Sequence, residues 1–338
     1  MLRFILRRFG SALAVLLGAT FITFVLSRVI PSDPALAYIG PKATAKQAIA
    51  IRESLGLNDP LPLQYFRYLS DMFHGNWGYS IASKQPVLGE ILNRLPATIE
   101  LIVFAMLFAT FFGILFGVLA ARYSGSVGDG FVRIFSIVGI SIPTFWLGLL
   151  LQLLFVGRLG WLPATGNFDL EVKFDNPITK VTGFPLFDSF ITGNFSASAN
   201  GLRHMILPAL TLSVFSLGLI ARLVRANLLE ILSQDYIKVA RAYGLSERII
   251  IFRLALRNAL PPVTTIIGLS VAYLLTGTFF VEQVFNWPGI GSFAANSLLS
   301  VDYPAIMGIT LVGAISYLGI NIIVDLIQAK LDPRIRNI

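Results

Sequence analysis

The chain has 338 residues, of which 55% are hydrophobic and 13% charged, with a formal net charge of +8. Soluble domains carry about 25% charged residues, so this composition excludes an ordinary globular domain and makes the chain a membrane protein. Cysteine is absent, which excludes disulfides and thiolate metal sites.

Six stretches without charge are long enough to cross ~30 Å of hydrocarbon as helices. They cover 9–27, 101–121, 134–157, 205–221, 259–281 and 303–324. Arg3, Arg7 and Arg8 precede the first, as in a signal peptide. Its run is longer than a signal h-region and no small-x-small cleavage site follows, so it is expected to stay as an anchor. With the N-terminus inside, the inner segments hold fifteen Lys and Arg against Asp129, Glu230, Asp235, Glu247 and Asp332. The outer segments 31–98, 158–204 and 282–304 hold ten cations against eleven acids. The positive-inside rule therefore sets both termini in the cytoplasm. It also explains the net charge without a nucleic-acid partner.

The outer segment 31–98 has helix-like sequence at 44–57 and an aromatic cluster of Tyr65, Phe66, Tyr68, Phe73, Trp77 and Tyr79. The cluster is expected to form a small folded cap rather than an interfacial belt. Val87, Leu88, Ile91, Leu92 and Leu95 share one helical face, predicting an interfacial helix that Pro96 ends. Glu100 follows at the membrane boundary. In the second span Gly113 and Gly117 suit close helix packing, within this chain or at a subunit interface. Ser141-Ile-Pro-Thr-Phe-Trp146 interrupts the third span, so a bend is expected there, for packing or beside a pathway. Residues 158–204 read as irregular structure. His74 and His204 are far apart and have no metal-ligand spacing.

Between the fourth and fifth spans lies an elbow at 235–248. Tyr236, Val239, Ala240 and Tyr243 recur at helical spacing as one apolar face, with Lys238 and Arg241 off it. Gly244 can end that helix, Ser246 can cap the next, and Glu247 falls in its first turn, where the helix dipole favours an acid. The second helix has the stripe Ile249, Phe252, Leu256 and Leu260. Ala240 and Ala242 keep the corner small. Such an elbow is either a knob for a partner protein or an amphipathic connector resting on headgroups of membrane lipid. The flanking spans follow too closely for it to read DNA.

Pro261-Pro262 opens the fifth span, which carries Thr264, Thr265, Ser270, Tyr273, Thr276 and Thr278. Polar residues in a bilayer face protein or water, so this span is the best candidate to line a pathway. Ser141, Thr144, Trp146, Ser270, Tyr273 and Thr276 are the candidate lining. No phosphate loop G-x-x-x-x-G-K-[ST] occurs, and carboxylates sit only at span ends. There is no sign of inverted halves with broken midplane helices, nor of a catalytic cluster within the spans. These absences favour a pore-forming subunit, itself no enzyme, whose energy comes from elsewhere.

Ala240-Arg-Ala-Tyr-Gly244-Leu-Ser-Glu, with Ala255-Leu-Arg-Asn-Ala259 after it, resembles the cytoplasmic EAA loop of ATP-binding-cassette (ABC) importer permeases of the peptide/nickel subfamily. Lys238 and Val239 stand where the general motif has Glu and Ala. Arg7-Arg8 with Pro31-Ser-Asp-Pro34, Gly75-Asn-Trp-Gly78, Gln85-Pro-Val87 and Leu95-Pro-Ala-Thr98 resemble the family's first third. Phe285-Asn-Trp-Pro-Gly-Ile-Gly291, Asp302-Tyr-Pro304, Asn321-x-x-x-Asp325 and Asp332-Pro-Arg334 resemble its last. The likeness is to the B-type permease of dipeptide/oligopeptide importers.

That resemblance implies an all-α polytopic membrane protein with six transmembrane helices, the type I ABC importer permease fold and extracytoplasmic insertions. It organises the chain as an N-terminal end and first helix (1–30), an extracytoplasmic segment (31–98) and a core permease domain (99–338). The core domain holds the outer loop 158–204 and the cytoplasmic coupling loop 222–258. It implies that Val239, Ala240, Arg241, Ala242, Tyr243, Gly244, Leu245, Ser246 and Glu247 dock in a cleft on an ATPase. The implied partners are a homologous C-type permease, two ABC ATPases that bind the ATP and Mg, and an extracytoplasmic solute-binding protein. This chain would bind no cofactor itself and would sit in a bacterial or archaeal inner membrane. Peptides are the first expectation for substrate; oligosaccharide, glutathione and chelated nickel are the alternatives. A stand-alone channel or facilitator would share the spans but not need the elbow, and a membrane scaffold would need no pathway.

Overall fold

The computed structural model describes residues 2–29, 46, 49, 52, 53 and 56–331. Among the described residues all regular structure is helical, apart from one antiparallel bridge between Tyr79 and Pro86. Five helices are long and apolar enough to cross a membrane, or six if one bent pair counts as a single span. The expected helix-like stretch 44–57, the 31–34 motif and the 332–336 motif lie largely or wholly outside the described residues.

The chain divides into two compact units, residues 1–96 with 289–318 and residues 97–288 with 319–338. In the first, α1 (Leu2–Val29) meets α2 (Leu61–Phe73) through aromatic rings. Tyr65 packs edge-on against Phe21 at 5.5 Å, and Tyr68 stacks on Phe24 at 6.0 Å. Thr20 and Tyr65 join hydroxyls at 3.0 Å. The aromatic cluster thus forms a folded cap in part, while Phe66, Phe73 and Tyr79 stay exposed. Val87 and Ile91, at the start of α3 (Val87–Arg122), bury with Phe293 of α12 (Ile290–Leu299) and Ala305 of α13 (Tyr303–Leu331). Asp302 is fully buried and caps α13, accepting from the Ala305 N–H at 3.2 Å. Its other oxygen takes the Ser80 hydroxyl at 2.5 Å and the Ala82 N–H at 3.1 Å.

In the second unit α8 (Phe195–Leu232) is the central pole. It packs against α4 (Val127–Ser141), α5 (Thr144–Leu151), α7 (Pro185–Ile191) and α11 (Leu256–Val284), and short α6 (Leu170–Asp175) precedes α7. Gly113 and Gly117 face α8: a Cβ on Gly117 would lie 2.7 Å from the Ala221 carbonyl, and one on Gly113 2.8 Å from Ile220. The glycine pair therefore serves packing within this chain.

Three expectations need correction, and one is met. Pro96 does not end a helix; α3 runs through it. The carbonyl it frees belongs to exposed Leu92, and both flanks are held by burial, Val87 and Ile91 before it and Ala97 and Leu101 after. Pro261 and Pro262 likewise lie inside α11 rather than at its opening, freeing the carbonyls of exposed Arg257 and Asn258. The bend expected in the third span is present: α4 and α5 meet at Ile142-Pro143 at 111°. The outer segment 158–204 is partly helical, because α8 begins ten residues before the apolar run at 205. Its polar start is held by neighbours. Asn200 donates to Asp169 at 2.5 Å, Arg203 to the Trp161 carbonyl at 3.2 Å, and His204 lies 3.4 Å from Asp169.

Glu100, expected at the boundary, is buried and accepts the backbone N–H groups of Leu186 and Phe187 at 3.3 and 3.0 Å. The first turn of α7 thus supplies this carboxylate with two backbone donors.

Candidate functional site

The elbow begins after α8 with α9 (Asp235–Ala242). Its end is a Schellman motif: the Leu245 N–H reaches the Ala240 carbonyl at 3.2 Å and the Gly244 N–H reaches Arg241 at 2.9 Å. Gly244 has φ +76°, the left-handed conformation that glycine adopts without cost. α10 (Glu247–Ile249) follows and runs through a π-helical turn, Ile250–Ala255, into α11. Ser246 stands at the N-cap position of α10 but makes no side-chain cap bond. Glu247 instead pairs across the corner with Arg241 at 2.7 Å, stapling the two helices together.

The buried stripe of α9 is not the apolar face expected. Ile237 is fully buried and Ala240 is 8% exposed, whereas Tyr236, Val239 and Tyr243 are 42%, 53% and 84% exposed. At about 100° per residue, Ala240 lies at the border between the two sets. It therefore turns into the chain's own core, against a cluster with Ile237, Ile250, Ile251 and Leu228. On the second helix Ile249 and Phe252 are exposed, while Ile250, Ile251, Ala255 and Ala259 are buried. The π-helical turn inserts an extra residue per turn and rotates the buried face away from the spacing expected of an α-helix. The corner thus presents an exposed apolar ridge on a rigid base. Every residue from Arg241 to Ile249 is exposed.

The pathway candidates separate into two groups. Ser141 is exposed at the end of α4, where its hydroxyl donates to the Ile137 carbonyl at 2.9 Å. Thr144 is half-buried at the start of α5 and Trp146 is exposed, so all three flank the 111° bend. On α11, Tyr273 is half exposed and stacks on Phe215 of α8 at 4.5 Å. Ser270 is buried, with a hydroxyl that has no hydrogen-bond partner. The Thr276 side chain lies outside the described residues. Among the described residues no cluster of His, Asp and Glu could hold a metal.

One feature of this face escaped sequence reasoning. Asp129, on the first turn of α4, accepts both arms of Arg225 on α8 at 2.6 and 2.8 Å, and also the Gly125 N–H at 3.0 Å. Its side chain is buried. Nothing in local spacing joins residues 96 positions apart.

Residues 113–337 match the family described as "Binding-protein-dependent transport system inner membrane component", and residues 1–102 match the N-terminal region of such membrane components. The chain is 44% identical over 329 residues to a probable D,D-dipeptide transport system permease of Escherichia coli, covering 97% of this chain and 96% of that one. It is 42% identical over 339 residues to a di/tripeptide transport system permease of Pseudomonas aeruginosa, covering 100% and 99%. It is 38% identical over 336 residues to a dipeptide transport system permease of Alkalihalophilus pseudofirmus, covering 99% and 100%. The all-α polytopic fold with its apolar spans agrees with that match. The chain belongs to the family of inner membrane components of binding-protein-dependent transport systems.

Proposed function

We propose that this chain is the permease subunit of an ABC importer. With a homologous permease it forms the translocation pathway for di- and oligopeptides delivered by an external binding protein. Two partner ATPases bind the ATP and Mg and drive the cycle; this chain contributes no catalytic residue. The observation that carries the reading is full-length likeness to permeases named for dipeptide or di/tripeptide transport.

Within this reading the elbow couples ATP hydrolysis to movement. Val239 and Tyr243 form the surface that an ATPase cleft would receive, with Ala242 and Leu245 beside them. Ile237 and Ala240 hold that surface against the permease core, and Gly244 with the Arg241–Glu247 pair fixes the corner. Ser141, Thr144, Trp146 and Tyr273 are the proposed pathway residues. The bend between α4 and α5 supports this assignment, since irregular backbone within a membrane is tolerated where it meets protein or water.

The proposed setting is a prokaryotic inner membrane with both termini cytoplasmic. Single cysteines at the exposed positions Ser126 and Ser233 should then resist impermeant thiol reagents in intact cells, while cysteines at the exposed positions Ser196 and Ser300 should react. The native chain has no thiol to confuse the result. For substrate, deletion of the gene should abolish uptake of labelled dipeptide while leaving peptide binding by the external protein intact. Unchanged uptake would remove the reading.

A further inference from the structure

The first unit encloses a cavity of about 370 Å³ that the transport reading leaves unused. Gln64, Tyr68 and Asp71 line it from one face of α2, at positions i, i+4 and i+7. Gln64 is 7% exposed, and its Nε2 donates to the Leu57 and Asp59 carbonyls at 3.1 and 2.7 Å. Flipping the amide would set its oxygen against two carbonyls, so the orientation is fixed. Among the described residues, the Gln64 Oε1 is then left buried with no partner, and so is the Tyr68 hydroxyl. Burial, and next the Tyr65 phenol beside it, push the Tyr68 phenol up, so it stays neutral. Buried polar atoms in native folds have partners as a rule, and two orphans on one wall call for an occupant.

The charge of the wall selects that occupant. Arg67 also lines the cavity, but it is held by Asp59 at 2.9 Å, which leaves the Asp71 carboxylate as the lining's unneutralised charge among the described residues. An anion would meet an amide oxygen and a carboxylate. A primary ammonium brings three donors and no acceptor, and the Tyr68 hydroxyl and the Asp71 carboxylate stand one turn apart on α2. The opposite wall, with Trp77 and Tyr303, offers aromatic surface for a cation and apolar surface for a carbon body. We propose that this cavity binds a primary ammonium carried on an apolar or aromatic body, with Tyr68 and Asp71 receiving the ammonium. The site is independent of the transport reading, because binding is measured without any ATPase or binding protein.

The test uses the purified full chain in lipid nanodiscs with 2-phenylethylamine as probe, read by tryptophan fluorescence. A saturable response is expected, absent in Trp77→Phe. N-acetyl-2-phenylethylamine and 2-phenylethanol should bind at least tenfold more weakly. Tyr68→Phe and Asp71→Asn should each weaken the amine about tenfold without lowering the thermal midpoint. Equal binding of the acetylated or alcohol probe would overturn the ligand class. No saturable response, which would mean a cavity holding only water, would overturn the site. So would full affinity in both variants.

Discussion

Ala240 lies in the last turn of α9 and Tyr243 is its C-cap, yet their substitution should fail in opposite ways. Ala240 is 8% exposed and packs with Ile237, Ile250 and Ile251 inside this chain. Ala240→Trp forces an indole into that cluster, and overpacking of this kind costs ~1–3 kcal/mol. Tyr243 is 84% exposed, so Tyr243→Ala should change the isolated chain's stability by no more than about 0.5 kcal/mol. If the ridge docks in an ATPase, removing an aromatic anchor there costs ~2 kcal/mol or more. That is about a 30-fold weaker complex, at ~1.4 kcal/mol per tenfold. Two assays separate the cases: thermal unfolding of the purified chain, and ATP hydrolysis by the reconstituted complex with binding protein and dipeptide. Ala240→Trp should lower the unfolding midpoint and lose stimulated hydrolysis with it. Tyr243→Ala should keep the midpoint and lose stimulation alone. Wild-type stimulation in Tyr243→Ala would refute the docking ridge. A wild-type midpoint in Ala240→Trp would refute the inward placement of that residue.

At Gly244 a Cβ would meet nothing within 4 Å, so only backbone strain opposes substitution. Gly244→Asn should unfold within about 0.5 kcal/mol of wild type, whereas Gly244→Val should lose ~1–3 kcal/mol. Arg225→Met should cost ~3 kcal/mol by leaving buried Asp129 with only Arg133, at 3.8 Å, as a cation partner, and adding Asp129→Leu should recover part of it in a double-mutant cycle. Asp188 is buried, which acts to raise its pKa. The Thr182 hydroxyl and the N–H groups of Thr182, Gly183 and Val181 outweigh burial and hold the carboxyl below the usual aspartate value. A depressed folded pKa means stabilisation that is present above the unfolded value of ~3.9 and lost as pH falls through the folded one. Amide protection factors of 181–188, taken relative to the intrinsic exchange rate at each pH, should therefore fall on acidification below about pH 4. Asp188→Asn should abolish that pH dependence.

The spans were legible because hydropathy is a local property: five long helices lie on the apolar runs read from composition. Gly244 was legible for the same reason, since a glycine just past a periodic run needs no tertiary partner to end a helix. What stayed hidden depends on partners distant in sequence. The start of α8 is polar at Asn200, Arg203 and His204, and only contacts with Trp161 and Asp169 make a helix there stable. Pro96 and Pro261 read as helix limits because burial on both sides of a proline is invisible locally. The elbow's apolar residues were found, but Ile237 was not among them. An amphipathic pattern gives the width of an apolar face and not which edge turns inward. The Asp129–Arg225 pair joins α4 to α8 and has no local signature.

The central claim is that this chain moves peptide only when an ATPase drives it. Proteoliposomes containing the chain, its homologous permease, the two ATPases and the binding protein should accumulate labelled dipeptide when ATP is supplied on the ATPase side. Vesicles holding the chain and its homologous permease without the ATPases should show no flux in either direction. Equal dipeptide flux with and without the ATPases would contradict the account and make the chain a facilitator.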